Sequence, residues 1–150
     1  MTITFEIPGK PFAKQRPKFT TRGKFVKTYT PKETVDAEAN IANIARPLFK
    51  EPLQGAVRVN VVAIFKPAKS WSKKRRRAAM NEYHTQKPDK DNVEKCVLDA
   101  LNKIAYADDA QVAVGSCIKL WGEEAKTIVT VSQICPLNKT PHGYIRSARC

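Results

Sequence analysis

Residues 55–67, with the sequence GAVRVNVVAIFKP, constrain the fold more than any other segment of the chain. Apolar side chains recur there at a period of two, at Val57, Val59, Val61, Ala63 and Phe65. Successive side chains of a strand point to opposite faces of a sheet, so this alternation predicts a strand with one buried face.

Three further segments have strand character. Residues 2–7, TITFEI, alternate in the same way and end at Pro8-Gly9. Residues 111–121 and 125–135 are predicted to be two strands joined directly as a hairpin through Gly122-Glu123-Glu124. The stretch between residues 8 and 29 is rich in Pro and Gly and predicts a long loop or an irregular hairpin.

Capping signals predict two main helices. The first begins with Thr30 as N-cap and Pro31 at the first position, and it runs to about Ala45. The second covers residues 91–105, with Asp91 as N-cap and an apolar stripe on one face. A short helix opening at Ser70 or Ser72 is predicted for the segment WSKKRRRAAM.

These elements predict a single α/β (α+β) domain with a mixed β-sheet packed by two main helices. A chain of 150 residues has the length of one domain. We assign the domain to residues 1–137 and treat residues 138–150 as a basic C-terminal tail. No segment approaches the roughly 18 apolar residues of a membrane helix, and no signal peptide is predicted.

The four Cys form no C-x-x-C pair, which argues against zinc, and Cys96, Cys117 and Cys135 are predicted to be free thiols in the core.

The charge of the chain points to an anionic partner. Lys and Arg number 27 against 14 Asp and Glu, giving a net charge of +13, and nucleic acid is the commonest partner of such a protein. Two runs, residues 8–29 and 66–77, carry no acid at all. The candidate DNA-binding residues in these runs are Lys10, Lys14, Arg16, Lys18, Arg22, Lys24, Lys73, Lys74, Arg75, Arg76 and Arg77.

Aromatic residues are interleaved with the charges of the first basic run. They could stack on bases, but we expect them to hold the loop against the core instead. These residues are Phe12, Phe19, Phe25 and Tyr29.

The Asp residues are concentrated in one segment. The chain has six, and five of them fall between residues 89 and 109. Carboxylates are the ligands of Mg²⁺, which assists phosphodiester cleavage by activating water and neutralising the leaving oxygen. A purely structural alternative is a helix cap, an i, i+4 pair between Lys95 and Asp99, and a turn at Asp108-Asp109. Lys95 lies in the first helical turn, where a cation opposes the helix dipole.

The distance along the second helix limits which acids can meet. Asp109 would lie roughly 20 Å from Asp91 if the helix were straight. It joins Asp89 and Asp91 only if the helix is shorter or tilted, or if a second subunit completes the cluster.

Residues 87–112, KPDKDNVEKCVLDALNKIAYADDAQV, resemble the signature of the RusA family of Holliday-junction resolvases (crossover junction endodeoxyribonucleases) from phages and prophages. The shared pattern is Asp-x-Asp-Asn, a Lys four residues after the second Asp, Asp-Ala-Leu, and Asp-Asp-x-Gln-Val. The segments IPGKPFAKQRPKF and YTPKET resemble the N-terminal half of such proteins, so the similarity covers about residues 3–135. Pro88 stands where some members carry an Arg run.

The resemblance implies an endonuclease that resolves four-way DNA junctions in recombination and repair. It implies Asp89, Asp91 and Asp109 as metal-binding carboxylates, Lys95 as a catalytic lysine, and Mg²⁺ as the cofactor, with Mn²⁺ as a substitute. Asp108 is expected to shape the turn. The resemblance also implies a homodimer, and the two related strands that a junction presents support it. The expected location is the cytoplasm, in association with the nucleoid.

Two alternatives remain open. One is a structure-specific nuclease that acts on flaps or single strands. The other is a non-catalytic basic protein that binds nucleic acid, whose affinity would fall steeply with salt and would not depend on the carboxylates.

Overall fold

The strands and helices follow one another along the chain in a mixed order. The structure, a computed structural model, describes residues 1–135, 137–139 and 145–147. The strands are β1 (Thr2–Pro8), β2 (Lys18–Arg22), β3 (Phe25–Tyr29), β4 (Val57–Phe65), β5 (Val112–Trp121), β6 (Lys126–Gln133), β7 (Leu137–Lys139) and β8 (Ile145–Ser147). The helices are α1 (Lys32–Ala45), α2 (Lys73–Ala79) and α3 (Lys90–Leu101), with 3₁₀ turns at Arg46–Leu48 and Asp109–Gln111.

A mixed four-stranded sheet in the order β1-β6-β4-β5 forms the centre of the molecule. Strand β4 pairs with β5 in parallel and with β6 antiparallel, and β1 pairs antiparallel with β6. The five alternating apolar residues of β4 are all buried. The predicted α/β class and mixed sheet are therefore confirmed, and β4 lies in the interior because it carries the most regular apolar face.

The predicted hairpin between residues 111–121 and 125–135 is wrong. Both segments form strands, but β4 lies between β5 and β6, so the connection must cross the end of β4. Gly122 makes this crossing: its N–H donates to the carbonyl of Phe65 at 2.9 Å. A Cβ at position 122 would lie 2.5 Å from Cγ2 of Ile64, which only glycine avoids. A short Gly-containing connection resembles a hairpin turn in sequence and gives no sign of the strand that it passes.

Helices α1 and α3 are the two main helices, and they pack against each other and against the sheet. The buried residues of α3 are Val93, Cys96, Val97, Ala100 and Leu101, which include most of the predicted apolar stripe. Both helices begin near the predicted positions, but their N-caps are Pro31 and Asp89. Helix α2 begins after Ser72, whose hydroxyl accepts a hydrogen bond from the N–H of Arg75, as predicted.

Strands β2 and β3 form a separate two-stranded hairpin in the first basic run. The side chains of Phe19 and Phe25 are 72% and 81% exposed. The expectation that these two rings hold the segment against the core is therefore wrong, whereas Phe12 does pack against the core. The hairpin thus carries aromatic and basic side chains on an exposed surface.

Residues 138–150 lie for the most part outside the described residues. The backbone of β7 pairs with that of β8, and the assignment of a separate tail stays a prediction.

Cys96 and Cys117 are buried free thiols, as predicted, and burial raises their pKa values to about 12 and about 11. Cys135 is disulfide-bonded, so the prediction of a free thiol there is wrong.

Within the described part of the chain, none of the helices has the length and hydropathy required to span a membrane.

Lys14 joins the loop after β1 to both main helices. Its ammonium group forms ion pairs with Glu38 of α1, at 3.0 Å, and with Asp99 of α3, and about three quarters of each side chain is buried. Burial lowers the pKa of Lys14, but the hydrogen bonds and charges of Asp99 and Glu38 outweigh it, so the pKa lies above 10.5. Lys14 thus forms a structural cluster with two acids.

We expect Lys14→Ala to lower the free energy of unfolding by about 1–2 kcal/mol, between the values for exposed and buried ion pairs. Because the pKa of Lys14 is raised in the folded state, its contribution is complete below pH 10.5 and is lost as the pH rises through the folded-state pKa. Urea unfolding at pH 7 and at pH values above 10.5 measures both effects. Lys50→Ala, at an exposed position, is the control; equal losses in the two variants would contradict the prediction.

Candidate active site

The N-terminal end of α3 places three of the predicted site residues. Asp89 is the N-cap residue, but its side chain makes no capping hydrogen bond. Asp91 and Lys95 follow in the first two turns, and a spacing of four residues places them on neighbouring positions of one helix surface. All three are exposed. Capping therefore does not account for either carboxylate, contrary to the structural alternative and to the prediction that Asp91 is the N-cap.

The loop before α3 is held in place by cations. Lys87 Nζ lies 2.9 Å from the carboxylate of Asp89, and this hydrogen bond and the charge of Lys87 lower the pKa of Asp89 below its ordinary value. From β5, Lys119 Nζ donates hydrogen bonds of 2.6 Å to the carbonyls of Gln86 and Pro88. The backbone leading into Asp89 is thus fixed to the sheet, and Asp89 remains ionised at lower pH than an isolated carboxyl.

The other side chains of α3 have different partners from those expected. Lys90 pairs with Glu94 at 3.1 Å, and Asp99 pairs with Lys14 rather than with Lys95. The Oε1 atom of Glu94 lies against Gly115 of β5, at 3.3 Å from the position that a Cβ there would take. Lys95 therefore has no part in the i, i+4 pair that the structural alternative required.

The turn at residues 108–111 separates the roles of its two Asp residues. The Asp108 carboxylate accepts a hydrogen bond from the N–H of Ala110 at 2.9 Å, while Gln111 Oε1 accepts from the N–H groups of Ala107 and Asp108. The expectation that Asp108 shapes the turn is confirmed. Asp109, in contrast, is exposed and is not the capping residue.

Gln111 also fixes this turn to the rest of the domain. Its Nε2 donates to the carbonyls of Leu53 and Gly55 at 3.0 and 2.9 Å. Asp109 is thereby held at a fixed position at the start of β5.

One chain alone does not bring Asp109 to Asp89 and Asp91. The twelve residues of α3 span about 18 Å, and Asp109 lies beyond its C-terminal end. Burial raises the pKa of the Tyr106 hydroxyl there, and the charge of Asp109 raises it further. Among the described residues, no three His, Cys, Asp or Glu side chains stand close enough together to hold a metal ion. A single subunit thus presents two carboxylates at one end of α3 and a third at the other.

The first group of candidate DNA-binding residues is divided by the fold. Lys10 and Arg16 are exposed in the loop before β2, Lys18 and Arg22 belong to β2, and Lys24 lies in the turn between β2 and β3. Lys14 differs from these residues because its ammonium group is held between Asp99 and Glu38.

The second group lies on one helix. Lys73, Lys74, Arg75, Arg76 and Arg77 all belong to α2. The Arg75 guanidinium lies over the ring of Trp71, at 3.7 Å from its centroid, and the Arg76 guanidinium donates to the carbonyl of Lys69. The other three are exposed and have the solvent access that contact with a phosphate backbone requires.

Sequence reasoning missed two residues that position the site. Gln111 could have been found, because it stands at a fixed distance after the Asp pair in the quoted motif. Lys119 could not, because its role depends on the packing of β5 beside the loop before α3.

Comparisons with known proteins agree with the motif. A family model described as "Endodeoxyribonuclease RusA" matches residues 8–132. The uncharacterized protein YqaN of Bacillus subtilis (strain 168) is 31% identical over an alignment of 138 residues, and the match covers 88% of this chain and 96% of that protein. The family model places the chain in the class of the endodeoxyribonucleases. Within it, the chain belongs to the RusA family, the family of Holliday-junction resolvases.

Proposed function

We propose that this protein is a Mg²⁺-dependent endonuclease that resolves four-way DNA junctions by paired cuts, as a homodimer, in recombination and repair. The observation that carries the proposal is the N-terminal end of α3 in a strongly basic protein. Asp89 and Asp91 make no capping hydrogen bond there, and Lys95 follows on the same helix without an ion-pair partner among the described residues. Such an enzyme would act on the nucleoid in the cytoplasm.

The basic surfaces give the DNA a place to bind. The β2–β3 hairpin and helix α2 carry most of the acid-free positive charge, and both present it to solvent. Binding through phosphates fixes the position of DNA without reading its sequence. We propose that these two surfaces hold the arms of the junction and that the acids at α3 face the strand to be cut.

The carboxylates fit a metal only when two subunits combine. Asp89 and Asp91 offer hard oxygen ligands of the kind that Mg²⁺ prefers, but a third acid is not near them in one chain. We propose that Asp109 of a second copy completes the site in the homodimer. When bound, Mg²⁺ (or Mn²⁺) would supply activation of water and neutralisation of the leaving oxygen.

The chain's own residues have distinct tasks in this proposal. Asp89 and Asp91 hold negative charge at the reaction centre, and the cation of Lys87 keeps Asp89 ionised. The ammonium of Lys95, one turn along α3, is positioned to contact the scissile phosphate. Lys119 and Gln111 are positioning residues because they fix the two backbone segments that carry the acids.

The test is cleavage of a labelled four-way junction and a matched linear duplex, in Mg²⁺ and in EDTA. We expect symmetric cuts in the junction alone, lost in EDTA. Cleavage of flaps or single strands in preference to the junction would identify a different structure-specific nuclease. Tight binding without cleavage in Mg²⁺ or Mn²⁺ would overturn the enzymatic proposal and leave a basic nucleic-acid-binding protein.

A further inference from the structure

A cavity of about 340 Å³ lies beside the loop that leads into Asp89. Its floor and walls come from the end of β4, the end of β5 and the segment around Trp71, and Gln86 and Lys87 form the side toward α3. The lining residues used below are Phe65, Trp71, His84, Trp121, Lys10 and Lys66.

Flat rings form the wall of this cavity as a continuous series. The centroids of Phe65 and His84 lie 4.0 Å apart in a stacked arrangement, and those of His84 and Trp121 lie 4.2 Å apart. Trp71 continues the series at 5.0 Å from Trp121. At these distances the rings pack on one another, and a base would stack on the ring surface that Trp71 and Trp121 contribute to the cavity lining.

Cations contribute to the lining of the cavity. Lys10, Lys66 and Lys87 line it, and no acid is found among the described residues that form it. The Arg75 guanidinium lies over the ring of Trp71, at 3.7 Å from its centroid. The charge favours an anionic ligand whose flat, uncharged part enters the cavity while its phosphates remain at the opening.

His84 adds a polar group to the wall. It is only 5% exposed, and its Nδ1 atom is buried without a hydrogen-bond partner among the described residues. Burial, with the positive charges of Lys119 and Lys10, lowers its pKa, so the imidazole is neutral at pH 7. Buried polar atoms normally have partners, and the imidazole of His84 is the ring among the cavity-lining residues that carries hydrogen-bonding nitrogens on both sides.

We propose that this cavity receives one unpaired nucleobase of the bound DNA. This proposal rests on the proposed function because it takes branched DNA as the ligand. It adds that the protein recognises one base of that DNA next to the cut. An extruded base combines the required features: a flat ring for Trp71 and Trp121, polar edges for His84, and phosphates for the lysines. Lys87 belongs both to the cavity and to the carboxylate site, so the base lies close to the acids.

Intrinsic fluorescence gives a specific readout, because the chain has two Trp residues and both line the cavity. Four-way junctions would be prepared with the base removed at one position at a time around the crossing, and titrated into Asp91→Asn protein in EDTA. We expect the intact junction to quench the Trp emission. One abasic position should abolish the quenching and weaken binding about 10-fold.

Two variants at one position then locate the effect. Trp71→Ala should lose the difference between the intact and the abasic junction, with Trp121 as the remaining reporter, whereas Trp71→Phe should keep it because a ring is retained. Circular dichroism checks the fold of both, and Lys50→Ala is the exposed-surface control. Equal binding and equal quenching by all abasic junctions would overturn the proposal.

This experiment measures binding and not cleavage, so the two proposals fail separately. A protein that never cuts DNA but shows one base-dependent quenching position would refute the nuclease and retain the cavity's role. A protein that cuts junctions but shows no base-dependent quenching position would retain the nuclease and refute the cavity's role.

Discussion

Asp91→Asn lowers the rate of junction cleavage by about 10³-fold or more, as expected for removal of a catalytic charge, and leaves junction affinity in EDTA within about 2-fold. Asp91 is exposed in the first turn of α3, so the amide costs the fold little. The expected loss is therefore in the chemical step. Single-turnover cleavage in Mg²⁺, with binding measured separately, checks both parts.

Asp36→Asn is the matched control, because Asp36 is an exposed helical Asp and the one Asp outside residues 89–109. It should cut at the wild-type rate. If Asp91→Asn also cuts at that rate, the carboxylates at α3 are not the reaction centre. If both variants lose cleavage together, the loss comes from net charge or folding instead.

Mixing two inactive variants, Asp91→Asn and Asp109→Asn, restores junction nicking when each site takes Asp109 from the second subunit. In a mixed dimer, one site then contains both substitutions and the other contains none, so one of the two strands is cut. If all three acids belonged to one chain, both sites of the mixed dimer would carry a substitution and stay inactive. The structure favours the first arrangement because α3 separates Asp109 from Asp89 and Asp91.

The measurement is single-turnover nicking by the two variants refolded together, against each refolded alone. Random pairing makes half of the dimers mixed, and each mixed dimer has one intact site out of two. About a quarter of all sites are then intact, so the rate of first nicking should reach about a quarter of the wild-type value. A mixture of Asp91→Asn with Asp89→Asn controls for exchange, since both substitutions fall in the same half of the site and one intact site is never formed. If the test mixture nicks the junction no faster than this control, the shared site is contradicted.

Local patterns in the sequence predicted the positions of the strands and helices well, but they did not predict which strands lie next to one another in the sheet. The alternation in residues 57–65 and the capping signals before α1 and α3 depend on adjacent residues, and the structure places those elements within a few residues of the predicted bounds. The insertion of β4 between β5 and β6 depends on pairing between distant segments. No turn signal at Gly122 distinguishes a hairpin from a crossing.

The candidate site shows the same division. The motif drew attention to Asp89, Asp91, Lys95 and Asp109 because their spacing is visible in the sequence. The ion pairs of Lys14 and the two carbonyl contacts of Lys119 require the fold. The sequence also indicated that Asp109 would lie far along the helix from Asp91. In the structure, these two acids do lie at opposite ends of α3.

The pairing of β1 with β6 determines when the sheet can be completed. Thr2 lies opposite Ser132 and Pro8 opposite Lys126, so β1 cannot pair until β6, far later in the chain, has been synthesised. Pairing between segments so distant along the chain slows folding, since the long loop must close before any contact forms. Until then Phe5 and Ile7, which are buried in the finished sheet, remain accessible to solvent and to other chains. Synthesis must therefore pass β6 before this nuclease has a folded core.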